Sequence, residues 1–122
     1  MGARILVVED DPNILLSLEF LLQNAGHSVF TASDGLQAWS MLQAEPLNLV
    51  VLDVMLPALD GFELCRRVRA TASLKNTKVL MLSARGGESD IDKSLQLGAD
   101  AHMRKPFATR DFLDTVSRLL QD

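Results

Sequence analysis

Cysteine is almost missing from this chain. Cys65 stands alone, so no internal disulfide can form and a reducing compartment is the default. Positive charge is scarce as well: 12 lysines and arginines against 16 acids leave a net charge of -4. That balance argues against a general nucleic-acid surface, which needs clustered Lys and Arg, though not against a separate DNA-binding unit outside this chain. No apolar run approaches the ~20 residues that span a bilayer, and the first residues hold no basic leader with a long apolar stretch. These absences predict a soluble, cytoplasmic protein with no membrane partner. Repeats and low-complexity segments are missing too.

What is present is a core. At 122 residues, 48% of them apolar, the chain is one domain over 1–122. A domain of this size removes about two-thirds of its unfolded surface from water. The pattern alternates five times between short β-type runs and longer amphipathic stretches. Strands are expected at about 4–9, 28–32, 48–53, 78–83 and 100–104, and helices at about 12–25, 35–44, 61–71, 88–97 and 109–121.

Helix ends carry their own signals. Asp11 can cap the first helix with Pro12 at its first position, and Gly26 can take the left-handed position that closes it. Asp60 and Glu63 form an acidic variant of a capping box, and Thr109 is the expected cap of the last helix. Cys65 lies at helical spacing with Phe62 and Val68, and Trp39 with Leu36 and Leu42, as packing residues do.

Five βα units predict an α/β fold: a doubly wound, five-stranded parallel sheet with helices on both faces. Leu49-Val50-Val51-Leu52 reads as a central strand, and the more polar Ser28-Val29-Phe30-Thr31-Ala32 as an edge. The flavodoxin-like order 2-1-3-4-5 satisfies both, and sets strands one and three together at the reversal point. Ligands of open α/β sheets bind beyond the carboxyl ends of strands near that point.

Four of the five runs end there in residues able to handle a phosphoryl group. The first runs into Glu9 and Asp10, the third into Asp53, the fourth into Ser83 and the fifth into Lys105-Pro106. Two like charges ~4 Å apart cost about 4 kcal/mol at an effective dielectric near 20, so three gathered carboxylates need a positive partner. Mg²⁺ is the economical one, because it takes oxygen ligands, keeps several waters and needs only one or two protein carboxylates.

Val7-Val8-Glu9-Asp10-Asp11, Leu52-Asp53-Val54-Met55-Leu56-Pro57, Asp60-Gly61, Leu82-Ser83-Ala84 and Lys105-Pro106-Phe107 together resemble the receiver domain of bacterial two-component response regulators, along the whole chain. The resemblance implies that Asp53 accepts a phosphoryl group from a sensor histidine kinase or a histidine phosphotransfer protein. It implies that Asp10, Asp53 and the backbone carbonyl of Met55 hold Mg²⁺, with Glu9 acting through water. Ser83 matches the family hydroxyl and Lys105 the family lysine, followed by a peptide to Pro106 that is usually cis. Such a domain is no enzyme toward outside substrates; it catalyses only its own phosphorylation and dephosphorylation.

The implied switch draws the Ser83 hydroxyl toward the phosphoryl oxygens and with it the loop Ala84-Arg85-Gly86-Gly87, whose two glycines suit movement. An aromatic residue on strand five then turns inward. Here that position is His102, a departure from the commoner Tyr or Phe. The output face is expected on helix four, strand five and helix five, toward an output domain or partner protein. Asp100 is followed by Ala101, and Asp114, Thr115 and Asp122 stand on or after helix five. These departures argue against the symmetric dimer of winged-helix relatives.

Three rivals are weaker. A constitutive binding module usually lacks the acceptor or the lysine, and this chain has both. A Mg²⁺-dependent phosphatase wants a nucleophilic aspartate and a second acid two residues on, which Glu9-Asp10-Asp11 does not supply with a clear general acid. A flavin phosphate would meet acids in the first loop, where it needs a Ser/Thr/Gly cradle.

Overall fold

A computed structural model describes residues 2–84 and 88–121. Its elements run β1 (Arg4–Val8), α1 (Pro12–Asn24), β2 (Ser28–Ala32), α2 (Gly35–Ala44), β3 (Leu49–Asp53), α3 (Gly61–Ala70), β4 (Lys78–Ser83), α4 (Glu88–Gln96), β5 (Ala101–Arg104) and α5 (Thr109–Gln121). The five strands are parallel in the order β2-β1-β3-β4-β5, as the sequence predicts. All five residues of β3 are buried, whereas β2 is half-buried along most of its length, as its edge position requires.

Strand side chains alternate between two cores, because successive residues point to opposite faces. Ile5, Val7, Leu49, Val51, Leu80 and Leu82 meet Leu18 and Leu22 of α1 and Phe112, Val116 and Leu119 of α5. Leu6, Val8, Val50, Leu52, Val79 and Met81 meet Ala38 and Leu42 of α2 and Leu64, Cys65 and Val68 of α3. Burying each such aliphatic side chain is worth roughly 1.5–3 kcal/mol, so strands buried on both faces fix the register of the central sheet. Trp39 packs against the second core, with the Arg67 guanidinium 5.7 Å from its ring centroid.

The ends of the elements follow their capping chemistry. Asp11 accepts from the amides of Asn13 and Ile14, Asp34 from Gln37 and Asp60 from Glu63. Gly26 sits at φ 98°, closing α1 in the left-handed region. Two expectations change. The Glu63 carboxylate turns to Arg66 and Arg67, leaving the capping box half-made. Thr109 is the first helical residue of α5, where the Phe112 amide bonds the Ala108 carbonyl. A 3-10 turn, Ala72–Leu74, follows α3 and has no periodic signature to announce it.

Candidate functional site

The register of the central strands builds the site. Val8 lies opposite Leu52, so the residues just beyond, Glu9 and Asp53, emerge side by side at the carboxyl edge. Both are buried, at 3% and 6% exposure. The Lys105 ammonium reaches back from the end of β5 and donates to both, to Glu9 Oε1 at 2.8 Å and to Asp53 Oδ2. Their second oxygens are also satisfied: Asp53 Oδ1 accepts from the Met55 amide at 2.9 Å and Glu9 Oε2 from the Asp11 amide at 3.1 Å.

Backbone contacts hold these side chains from behind. The Val54 amide donates to Leu82 O at 2.9 Å, and the Lys105 amide to Ser83 O at 2.7 Å. The Lys105–Pro106 peptide is cis. Gly61 opens α3 directly against β3: a Cβ there would fall 2.2 Å from the Asp53 carbonyl oxygen and 2.8 Å from Val54 Cα. Only glycine allows the helix to start so close to the Asp53 backbone.

Electrostatics follow from burial and pairing. Burial pushes the Glu9 carboxyl above its usual range, and the hydrogen bonds from Lys105 and Asp11 only partly offset this. For Lys105 burial pulls downward, but hydrogen bonds to Asp53 and Glu9 outweigh it and hold the ammonium charged. The positive partner that the gathered carboxylates require is thus, in the protein itself, a lysine.

Asp10 is exposed next to Glu9, and Met55 is 77% exposed. Among the described residues no three acidic, histidine or cysteine side chains close on one cation-sized point. Ser83 is buried, and its hydroxyl lies 2.8 Å from His102 Nε2. The switch loop expected at Ala84-Arg85-Gly86-Gly87 falls, from Arg85 on, outside the described residues.

Sequence reasoning missed Ser94 of α4, fully buried with its hydroxyl 2.9 Å from His102 Nδ1. Its signal was slight, one small polar residue at the centre of an amphipathic helix.

The geometry stands beside clear likenesses. The response regulator receiver domain model matches residues 5–117. This chain belongs to that family. Receiver domains are the phosphoacceptor signalling domains of two-component systems. A curated relative from Bacillus subtilis, the alkaline phosphatase synthesis transcriptional regulatory protein PhoP, is 41% identical over 99% of this chain and 50% of its own length. The response regulator MprA of Mycobacterium bovis is 40% identical over 99% of this chain and 52% of its own. The receiver domain thus spans about half the length of the curated relatives it matches.

Among solved structures, the chemotaxis response regulator CheY4 of Vibrio cholerae superposes with a TM-score of 0.91 at 31% identity, covering 98% of this chain and 99% of that one. The receiver domain of a Pseudomonas aeruginosa sensor histidine kinase, solved with a magnesium ion coordinated in its active site cleft, gives a TM-score of 0.91 at 28% identity with both chains fully covered.

Proposed function

We propose that Asp53 is the phosphoacceptor of this receiver domain. One observation carries the reading: a buried aspartate at the end of the central strand, paired with a lysine from the end of β5 and flanked by a second buried acid from the end of β1. A carboxylate oxygen of Asp53 attacks the phosphorus of a phosphohistidine. The P–N bond breaks, and the imidazole leaves with the electron pair and takes up a proton. Phosphoryl transfer is mainly positioning and charge neutralisation, since its loose transition state spreads charge over three oxygens. Lys105 is placed to follow that charge as Asp53 gives up its own, and the Ser83 hydroxyl supplies a donor from β4.

The donor set fits Mg²⁺. Asp10, Asp53 and the Met55 carbonyl would hold it directly, with Glu9 through water, and these are the oxygen ligands a hard cation takes. Bound there, the ion supplies positive charge to the oxygens of the transferred group.

The phosphodonor is a sensor histidine kinase or histidine phosphotransfer protein in the cytoplasm. The phosphorylated domain shifts toward an active conformation that acts through the α4-β5-α5 face on an output domain or partner protein, with no nucleic acid or membrane bound by the domain itself. The shift needs a phosphoryl group with more favourable contacts in one conformation than in the other. His102 and Ser83 are its switch residues.

Incubation with acetyl phosphate and Mg²⁺ tests the assignment. Wild type is labelled, Asp53→Asn is not, and chelation blocks labelling while the circular dichroism spectrum stays unchanged. Undiminished labelling of Asp53→Asn would move the acceptor to another residue.

A further inference from the structure

His102 is clasped by two hydroxyls. Ser83 Oγ lies 2.8 Å from Nε2 and Ser94 Oγ 2.9 Å from Nδ1. The Ser94 oxygen also lies 2.9 Å from the Asp90 carbonyl oxygen, which can only accept. The single Ser94 proton therefore points at Asp90, and toward His102 the same oxygen is an acceptor. Nδ1 must carry a hydrogen.

The ring is neutral: burial holds its pKa below the ordinary value, and Arg104 on β5 adds to this while Asp90 on α4 opposes it. Nε2 is then a bare lone pair, and Ser83 must donate to it. The only proton on the Ser83 hydroxyl is committed to His102.

Resting on the reading of Asp53 as acceptor and Ser83 as a donor to its phosphoryl group, we propose that Ser94 is a positioning residue. By fixing the Nδ1–H tautomer of His102, it turns the Ser83 proton away from the acceptor edge. The chain Ser83–His102–Ser94–Asp90 ties β4, β5 and α4 together, and a phosphoryl group has to take the Ser83 proton from it. The His102 ring that restrains the Ser83 hydroxyl through Nε2 also anchors α4 to β5 through Nδ1. Removing Ser94 frees the ring to carry its hydrogen on Nε2. His102 then donates to the Ser83 oxygen, and the Ser83 proton is free for the phosphoryl oxygen. A ring fixed by a partner on one nitrogen dictates what the other can do.

Long-range proton–nitrogen spectra of the full chain, with ¹⁵N-labelled histidine at slightly alkaline pH, read the tautomer directly. In wild type the His102 Nδ1 resonance should be of the protonated kind and Nε2 of the bare kind. In Ser94→Ala the two exchange character. Beryllofluoride with Mg²⁺, a phosphoryl mimic, should bind Ser94→Ala about 2- to 10-fold more tightly than wild type, the worth of one hydrogen bond. Ser83→Ala should cancel that gain when combined with Ser94→Ala.

A wild-type His102 protonated on Nε2 would overturn the proposal. So would a Ser94→Ala protein with unchanged tautomer and unchanged beryllofluoride affinity. Beryllofluoride binding that survives Asp53→Asn would instead overturn the acceptor reading and the gating role with it, leaving the tautomer assignment as a separate result.

Discussion

Lys105 and Asp53, 52 residues apart in the chain, form an ion pair at the carboxyl edge of the sheet, and Glu9 shares the same ammonium. The lysine is largely buried, at 16% side-chain exposure, so its charge and those of its two partners are linked. Removing it leaves two neighbouring carboxylates without their counter-charge.

Lys105→Met should therefore cost stability as well as phosphorylation. Breaking a buried pair by deleting one partner costs about 3–5 kcal/mol, and the remaining solvent access of this site places the expected loss near the lower end, about 3 kcal/mol. Urea denaturation measures it. Mg²⁺ should raise the melting temperature of Lys105→Met more than that of wild type, because the variant has lost its own cation. Labelling by acetyl phosphate should slow by about 10²-fold, the usual worth of one donor to transition-state charge. A variant as stable as wild type and no more responsive to Mg²⁺ would separate Lys105 from the carboxylates.

Gly61→Ala inserts a methyl group into the backbone behind Asp53. The clash is with the Asp53 carbonyl and Val54 Cα, neither of which can rotate away as a side chain would. Overpacking of this kind costs about 1–3 kcal/mol. Labelling of Asp53 should slow together with the loss of stability, while Ser17→Ala, an alanine substitution at an exposed helix position, should do neither.

Arg69 carries a different kind of load. Its guanidinium donates to the carbonyls of Gly98 at 2.7 Å and Thr77 at 2.8 Å, and to Asp100 Oδ2 at 2.6 Å, while Asp100 also accepts from the Val79 amide. Arg69→Met keeps much of the aliphatic packing and leaves the carboxylate and carbonyls without their donor. The expected cost is about 2–3 kcal/mol. Asp100→Asn should be milder, since the amide oxygen still accepts from Val79. Thermal unfolding of the two variants should rank them in that order.

His27 gives the acid side of the stability profile a local source. Its Nδ1 accepts from the Ala3 amide at 3.0 Å, so the bond needs the neutral ring. Burial lowers its pKa below 6.5, and the unfolded chain therefore binds the proton more readily than the folded one. The contribution is fully present above 6.5 and is lost as pH falls from there through the lower, folded value. His27→Gln should flatten that part of a pH series of denaturation midpoints. An unchanged slope would assign the dependence elsewhere, His102 being the other histidine lowered by burial.

The sheet order was legible because unbroken apolar runs and a polar edge strand report burial directly. The cluster was legible because several of those runs ended in chemically loaded residues. Which acid turns inward was not. Glu9 and Asp10 are adjacent, and only the path of the chain after β1 buries the first and exposes the second. The partners of Arg69 at Gly98 and Asp100 lie 29 and 31 residues away, beyond the reach of any periodic signal. In sequence Asp100 stands out only as the first residue of the fifth expected strand, followed by Ala101. Ser94 was hidden for a related reason, since its importance lies in a tautomer on a neighbouring strand.

Arg69 clamps the turn that follows α4, at Gly98, whereas Ser94 attaches the middle of the same helix to β5 through His102. The two tethers are of unequal strength: at one end a charge-assisted bond to Gly98 from a guanidinium that also holds Thr77 and Asp100, and halfway along a single neutral bond. A rod held firmly at its foot and lightly at its waist swings when the lighter tie is cut, and its far tip travels most. On the proposed output face, such a swing would present a change of angle.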